Sequence, residues 1–416
     1  MKIWFTEIGE PLPLEGDVRL LRYGLLTPLL AEMGHDVTWW ASNFSHSTKR
    51  FICEGDRVEN WKGVRLRILK GLKYRRSVSF QRFRYQAHFA RRFYAEALKE
   101  SSPDIIVSPI PTLEAAEMAT RFALERHIPI VTDIRDEWPE DLARLAPRPF
   151  RGLARFVLRD YYRKARFVCS SVNAIFGISE RQLNYGISLS NRPRNEFDHV
   201  IPIGYSAETY SPAVIETEIR KWRELGVSEG SFVCCFFGTI GHFFDLETVI
   251  QAAKVLEKKH PIQFVLCGDG SRLEHYRRMA SNVRSVLFPG WVKGPQISAL
   301  MSISHLGLAP YAAEAETMSL PNKPFEYMAA GLPVVSSIRG ELESLLAKHG
   351  CGVTYQADSV EQLCAVLSLL LRSSQKRGQM GVSAKATFEG NFSTTSNAEK
   401  FARNLMKTLE KADTTR

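Results

Sequence analysis

Short runs of apolar, β-branched and aromatic residues alternate with longer stretches of helical periodicity from one end of the chain to the other. In the first half, residues 2–6, 36–40, 64–68, 105–108, 130–133 and 167–170 read as strands. Residues 20–33 read as a helix closed by Gly34, a residue that readily takes the left-handed C-cap conformation. In the second half strands fall at 232–237, 263–267, 286–288, 306–309, 333–336 and 353–355. Runs such as Phe232-Val-Cys-Cys-Phe-Phe237 are apolar without alternation, the pattern of strands buried on both faces. Alternation of such strands with helices predicts an α/β chain built on doubly wound parallel sheets. Two sets of strands exceed one sheet, and the segment 200–212, with Pro202, Gly204 and Pro212 among small polar residues, has the composition of a linker. The expected division is a Rossmann-like domain over 1–204, a second over 205–390, and a C-terminal piece over 391–416. In that piece Asn391-Phe-Ser393 is a break and N-cap before a helix at about 397–409.

Composition adds mainly exclusions. Of 416 residues, 44% are hydrophobic and 24% charged, which sets aside collagen-like, disordered and disulfide-scaffold classes. Cysteines stand at 53, 169, 234, 235, 267, 351 and 364; they lack CxxC or Cys/His spacing, and several lie in strand-like runs. They read as reduced core thiols, and no metal site is expected. Glu7 and Glu10 interrupt any apolar signal core, and no run of eighteen apolar residues occurs. No cleaved signal is therefore expected, and membrane contact would be peripheral.

Charge changes the picture more. Lys and Arg number 55 against 45 Asp and Glu, a net +10. The excess is local: twelve Lys/Arg oppose the single Glu59 between Arg57 and Arg92, and eight oppose the single Asp160 between Arg144 and Arg166. The first segment interleaves its cations with Trp61, Tyr74, Phe80, Phe83, Tyr85 and Phe89. In the second, Arg151, Arg155, Arg159 and Arg163 recur every four residues and would share one helical face, with Phe156, Leu158 and Tyr162 left to pack elsewhere. Such segments suit an anionic membrane surface or a lipid diphosphate, each cation contributing about 1 kcal/mol near the headgroups. Arg75, Arg76, Arg82, Arg84, Arg155 and Arg159 are the candidate contacts. A solvated helix face is the plain alternative. Basic and aromatic interleaving also describes single-strand binders, but no recognised nucleic-acid motif accompanies it, so nucleic acid is not expected as a partner.

Ligands of doubly wound sheets bind beyond the carboxyl ends of strands, and glycines gather there in this chain. Gly238-Thr-Ile-Gly241 follows the strand at 232–237, and Gly268-Asp-Gly270 follows that at 263–267. Glycine permits a tight turn and lets backbone N–H groups approach a phosphate, although a plain strand-to-helix turn favours it too. The segment Ser319-Leu-Pro-Asn-Lys-Pro-Phe-Glu-Tyr-Met-Ala-Ala-Gly-Leu-Pro-Val-Val-Ser336 is more informative. Pro321 and Asn322 open a short helix at about 324–330, Gly331 ends it, and a buried strand follows. In the first turn Glu326 can accept both hydrogens of a vicinal diol such as a ribose, and Lys323 can pair with a diphosphate. A charged, solvated helix turn is the plain alternative.

The run Phe325-Glu-Tyr-Met-Ala-Ala-Gly-Leu-Pro-Val-Val335 resembles the signature of family-4 glycosyltransferases, retaining enzymes of the GT-B fold. In that fold two Rossmann-like domains face one another across a cleft and a C-terminal helix returns to the first. Other segments agree in order: Leu29-Leu-Ala-Glu-Met-Gly-His-Asp-Val37, Ile201-Pro-Ile-Gly-Tyr205, Gly268-Asp-Gly270, Phe288-Pro-Gly-Trp-Val292 and Ala309-Pro310. Arg135-Asp-Glu-Trp-Pro139 resembles a bacterial subgroup that builds cell-surface polysaccharides such as capsule and lipopolysaccharide. The resemblance implies metal-independent transfer of a hexosyl or N-acetylhexosaminyl group from a UDP- or GDP-sugar, with no further cofactor, to a lipid-linked or growing glycan acceptor. The enzyme would be cytoplasmic and peripheral on the inner face of the plasma membrane, its first domain taking the acceptor and its second the donor.

Carried over residue by residue, the resemblance places Glu326 on the donor ribose. The first glutamate of the same E-x7-E motif would fall at residue 318, a methionine. The Arg and Lys usual after the first strand of the second domain are absent, since Gly238-Thr-Ile-Gly-His242 offers only His242. Lys323 and Arg272 then stand in, because a phosphate leaving group needs compensating positive charge. Gly238, Gly241, His242, Gly268, Trp291, Val292, Pro321 and Asn322 would line the donor site. Asp136, with Arg135, would hold the donor sugar's hydroxyls, or equally serve as a helix N-cap before the Trp-Pro turn. Gly16 and Arg19 match a glycine loop near donor and acceptor. In such a mechanism the donor phosphate takes the acceptor proton, so no pair of carboxylates is required. Nucleotide-sugar epimerases share the two-domain fold and form the alternative reading, with a basic nucleic-acid-binding protein as a lesser one.

Overall fold

In the computed structural model the chain divides into two compact units, Met1–Gly204 joined by Thr394–Arg416, and Tyr205–Ser393. The structure describes residues 1–16, 18, 20–76, 79–206, 209–313 and 320–414. Arg19 and Met318 lie outside the described residues.

Among the described residues the first unit carries eight strands: β1 (Lys2–Thr6), β2 (Asp36–Ser42), β3 (Arg57–Trp61), β4 (Val64–Leu69), β5 (Ile105–Ile110), β6 (Ile130–Ile134), β7 (Ala174–Gly177) and β8 (His199–Val200). They lie in the order β3-β4-β2-β1-β5-β6-β7-β8, parallel except for the β3–β4 pair. Strand alternation splits the core into two layers. On one face Trp4 and Trp40 pack at 5.1 Å and Trp4 meets Phe122 at 5.8 Å; on the other, Phe5 meets Tyr23 at 5.0 Å and Phe401 at 6.1 Å. Phe401 belongs to the terminal helix Thr394–Thr414, which is therefore part of this unit's core. The expected boundary at 390/391 falls inside the last turn of helix Ser374–Asn391, and the terminal helix starts at Thr394, earlier than expected.

The second unit carries β9 (Phe232–Phe237), β10 (Ile262–Cys267), β11 (Val286–Leu287), β12 (Leu306–Ala309), β13 (Val334–Ser336) and β14 (Gly352–Thr354), all parallel, in the order β11-β10-β9-β12-β13-β14. Both sheets thus reverse their strand order beside the first strand, between β1 and β5 and between β9 and β12. That switch point is where the carboxyl ends of such sheets leave room for a ligand. The cysteines are free thiols; burial pushes Cys169 and Cys235 up to about 12. Among the described residues no helix is long and apolar enough to cross a membrane.

One expected strand is corrected: residues 167–170 lie in helix Arg159–Ser171, and the strand forms next, at β7. Val168 and Cys169 are buried with Ala165 as the inner stripe of that helix, a pattern that a four-residue window cannot separate from a strand.

Candidate functional site

At the switch point of the second unit three strand-end turns are tied together through their backbones. Gly238 N–H donates to the Cys267 carbonyl at 3.0 Å, Ile240 N–H to the Asp269 carbonyl at 2.8 Å, and Gly268 N–H to the Gly290 carbonyl at 2.8 Å. Gly268 has φ +144°, and a Cβ there would collide with the Gly238 carbonyl oxygen, so only glycine allows the two turns to meet. A Cβ on Gly238 would lie 2.5 Å from Lys323 Cε and 2.9 Å from Lys323 Nζ. Lys323, on helix Asn322–Ala329 after β12, is therefore laid across the end of β9 and spans the switch point. Its Nζ also sits 5.0 Å from the centroid of Phe244.

Phe244 borders a cavity of about 370 Å³ lined by His242, Phe243, Phe244, Asp245, Glu247, Arg272, Tyr276, Ala312 and Asp358. Arg272 is anchored by its N–H on the Ile240 carbonyl at 3.1 Å, with its guanidinium 5.1 Å from the Tyr276 ring. The structure thus brings His242 and Arg272 onto one cavity with Phe244, which sequence reasoning did not single out, and lays Lys323 over that ring and across Gly238. Glu326, half-buried one turn after Lys323, raises the pKa of Tyr311 after burial has done so first. Pro321 is buried and Asn322 exposed at the helix start, Gly241 is half-buried, and Val292 is buried beside Trp291, which is 68% exposed.

The first unit fills its switch point differently. Glu7, directly after β1, and Glu10 are buried, and Arg135, directly after β6, pairs with them at 3.2 Å and 2.5 Å. Burial raises Glu7 to about 7, with Arg135 opposing and Glu10 adding. Glu10 also accepts from Tyr23 N–H at 2.9 Å, at the start of helix Arg22–Glu32. Beneath them, buried Asp133 accepts from Arg22 at 2.7 Å and 3.1 Å and from the Tyr23 hydroxyl at 2.9 Å. Asp136 stands exposed next to this network, its carboxyl raised by the surrounding protein against the pull of Arg135. It is not a helix N-cap: helix Glu140–Arg144 begins after Pro139. Gly16 is exposed at φ +85°.

The basic candidates part company. Arg75, Arg76 and Arg84 are exposed; Arg82 lies 5.0 Å over the Trp138 ring; Arg159 lies 4.8 Å over Phe156. Arg155 donates to both oxygens of Glu140 at 3.2 Å and 2.7 Å. The single arginine face expected over residues 151–163 is broken at Leu158, where helix Arg151–Val157 ends and helix Arg159–Ser171 begins.

The family model "Glycosyl transferase 4-like domain" matches residues 24–175, and "Glycosyl transferases group 1" matches residues 231–373. The alpha-monoglucosyldiacylglycerol synthase of Streptococcus pneumoniae is 21% identical over 73% of this chain and 66% of its own length, so the chain spans just under two thirds of that relative. The crystal structure of Anabaena Alr3699/HepE in complex with UDP superposes with a TM-score of 0.64 at 16% identity, covering 98% of this chain and 100% of that one. That of WaaG, a glycosyltransferase involved in lipopolysaccharide biosynthesis, gives a TM-score of 0.61 at 17% identity over 96% and 98%. Each unit carries the parallel sheet of a GT-B half, the two family models fall one on each, and the chain belongs to the family-4 glycosyltransferases of the GT-B fold.

Proposed function

We propose that the protein is a retaining glycosyltransferase that moves a hexosyl or N-acetylhexosaminyl group from a UDP- or GDP-sugar, without a metal, to a lipid-linked or growing surface-polysaccharide acceptor at the cytoplasmic face of the membrane. The observation that carries this reading is Lys323 lying across Gly238 at the β9–β12 switch point, with His242 and Arg272 on the cavity around Phe244. At the carboxyl ends of parallel strands two cations, Lys323 and Arg272, with the His242 imidazole beside them, suit a diphosphate, whose developing charge the cations would offset as the glycosidic bond breaks. Glu326 then takes the ribose hydroxyls, Trp291 and Val292 the base end, and the diphosphate oxygen receives the acceptor proton as it leaves. Asp136, just after β6, and Gly16, in the loop between β1 and helix Arg22–Glu32, are assigned to sugar and acceptor hydroxyls. Support for the donor comes from HepE, crystallised with UDP. Support for a lipid or polysaccharide acceptor comes from the names of the synthase and of WaaG.

Calorimetric titration with UDP and GDP tests the site. Lys323→Ala and Glu326→Ala should each weaken one of the two nucleotides about tenfold or more, the scale of a lost charge-assisted hydrogen bond, with unchanged circular dichroism. Wild-type affinity in both variants would remove the site assignment. Anomeric configuration of the product by NMR tests retention.

A further inference from the structure

The stretch from Leu145 to Arg163 turns its apolar side to water. Leu145, Phe150, Leu153, Phe156 and Val157 are each 59–72% exposed, and helix Arg151–Val157 buries no residue at all. Singly exposed apolar residues need no explanation, but five within one short helical corner do. At about 100° per residue, Leu153, Phe156 and Val157 share an arc of about 100°, with Arg151 and Arg155 on the opposite side. Those two arginines are tied back to neighbouring segments: Arg155, although its side chain is 54% exposed, pairs with Glu140 at 2.7 Å, and Arg151 Nε donates to the Ala146 carbonyl at 3.4 Å. The helix thus covers no core with its apolar arc and leaves it to solvent. Its ends are cationic, with Arg148, Arg159, Arg163 and Arg166 exposed. Phe83 packs on Tyr161 at 5.0 Å, which brings the first turn of helix Phe80–Ala97 alongside, with Phe80 76% exposed.

We propose that this ridge inserts into an anionic lipid bilayer, with Phe150, Leu153, Phe156 and Val157 in the headgroup–acyl boundary and Arg148, Arg159 and Arg163 at the lipid phosphates. The proposal rests on the peripheral-membrane part of the function above and deepens it, from electrostatic adsorption to insertion. An apolar arc bordered by cations matches a surface that is apolar within and anionic at its rim. A second copy of the chain would bring the same cationic border against it, so charge argues against self-association there. Insertion also separates from adsorption by salt: exposed charges are screened over about 8 Å at physiological ionic strength, whereas buried apolar area is not.

The experiment uses the full chain, co-sedimented with vesicles of phosphatidylcholine alone or with roughly one third phosphatidylglycerol, at about 0.15 M and about 0.5 M salt. Wild type should bind the anionic vesicles and remain largely bound at high salt. Leu153→Ser/Phe156→Ser, which leaves the net charge unchanged, should bind at least tenfold more weakly and detach at high salt. Equal binding by the double variant, no binding by wild type, or a wild-type oligomer that the double variant dissolves would each overturn the proposal. Because a variant can fail for other reasons, Phe156→Trp gives a positive readout: brominated lipid should quench its added fluorescence, and absence of extra quenching overturns the insertion. Nucleotide titration of the same proteins reads the donor site independently, so failure of the transferase reading would show there and not in the vesicle result.

Discussion

The two sheets reverse their strand order at equivalent places, yet the chain equips those places with opposite chemistry. Between β1 and β5 the carboxylates Glu7 and Glu10 are buried against Arg135, and Asp133 below them is saturated by Arg22 and Tyr23. Between β9 and β12 the floor is glycine and backbone, bordered by Lys323, His242 and Arg272 around a cavity. The first site uses its charges to hold the N-terminal loop and helix Arg22–Glu32 on the sheet; the second keeps its charges at the edge of a space. The same fold position is therefore structural in one unit and available for ligand chemistry in the other, which is why fold alone does not name a function.

The comparison breaks most visibly if Arg135 is removed. Arg135→Leu leaves two buried carboxylates without their cation and should cost about 3–5 kcal/mol above neutral pH, read as a lower urea midpoint by tryptophan fluorescence. The sign of the pH dependence follows from Glu7. A carboxyl raised from 4.5 to about 7 holds its proton more tightly when folded. Its stabilising contribution is complete below about 4.5 and is lost as pH rises through about 7. The Arg135→Leu penalty should accordingly shrink on acidification through that window, and Glu7→Gln should flatten the wild-type slope there. A penalty independent of pH would mean that the triad is not what holds this loop.

The second unit breaks through its backbone. Gly268→Ala pushes a methyl into the Gly238 carbonyl at φ +144° and should cost on the order of 3 kcal/mol, with loss of nucleotide binding. Gly241→Ala is the control: nothing lies within 4 Å of a Cβ there, so stability should stay within about 0.5 kcal/mol of wild type. Equal effects at both glycines would undo the claim that the turns of β9 and β10 are locked together.

What the sequence disclosed follows the same division. The glycine turns, Lys323 and Glu326 were legible because their signal is local: a strand, a glycine and a helix start within a few residues. The triad was not, because Glu7 and Arg135 are 128 positions apart and are joined only when β1 and β6 end at the same edge. Phe244 and Tyr276 were missed for a related reason, since as isolated aromatics they look like core until the cavity between them is seen. Strand β3 carries no strand signal because its residues are mostly exposed and polar, as an edge strand can be, while the alternating run beside it predicts a strand at 64–68 and forms one at Val64–Leu69.

A small pH effect lies just after β2, where the first unit carries cations in place of carboxylates. His46 Nδ1 is hydrogen-bonded to the Tyr74 hydroxyl, and Lys49 Nζ lies 3.3 Å from the same nitrogen and 4.7 Å over the Tyr74 ring. Burial, then Arg82, then Lys49 lower the His46 pKa from 6.5 to about 4. A base whose folded pKa is depressed contributes stability that is present above 6.5 and lost as pH falls through about 4. Around neutral pH the imidazole is already uncharged, so mild acidification to about 6 should change stability through this group by less than about 1 kcal/mol. Two-dimensional NMR of the imidazole C–H signals should find His46 titrating near 4, and Arg82→Gln should raise that value only partly, since burial is the larger cause. Titration near 6.5 would place His46 in open solvent and would overturn burial as the cause of its shift.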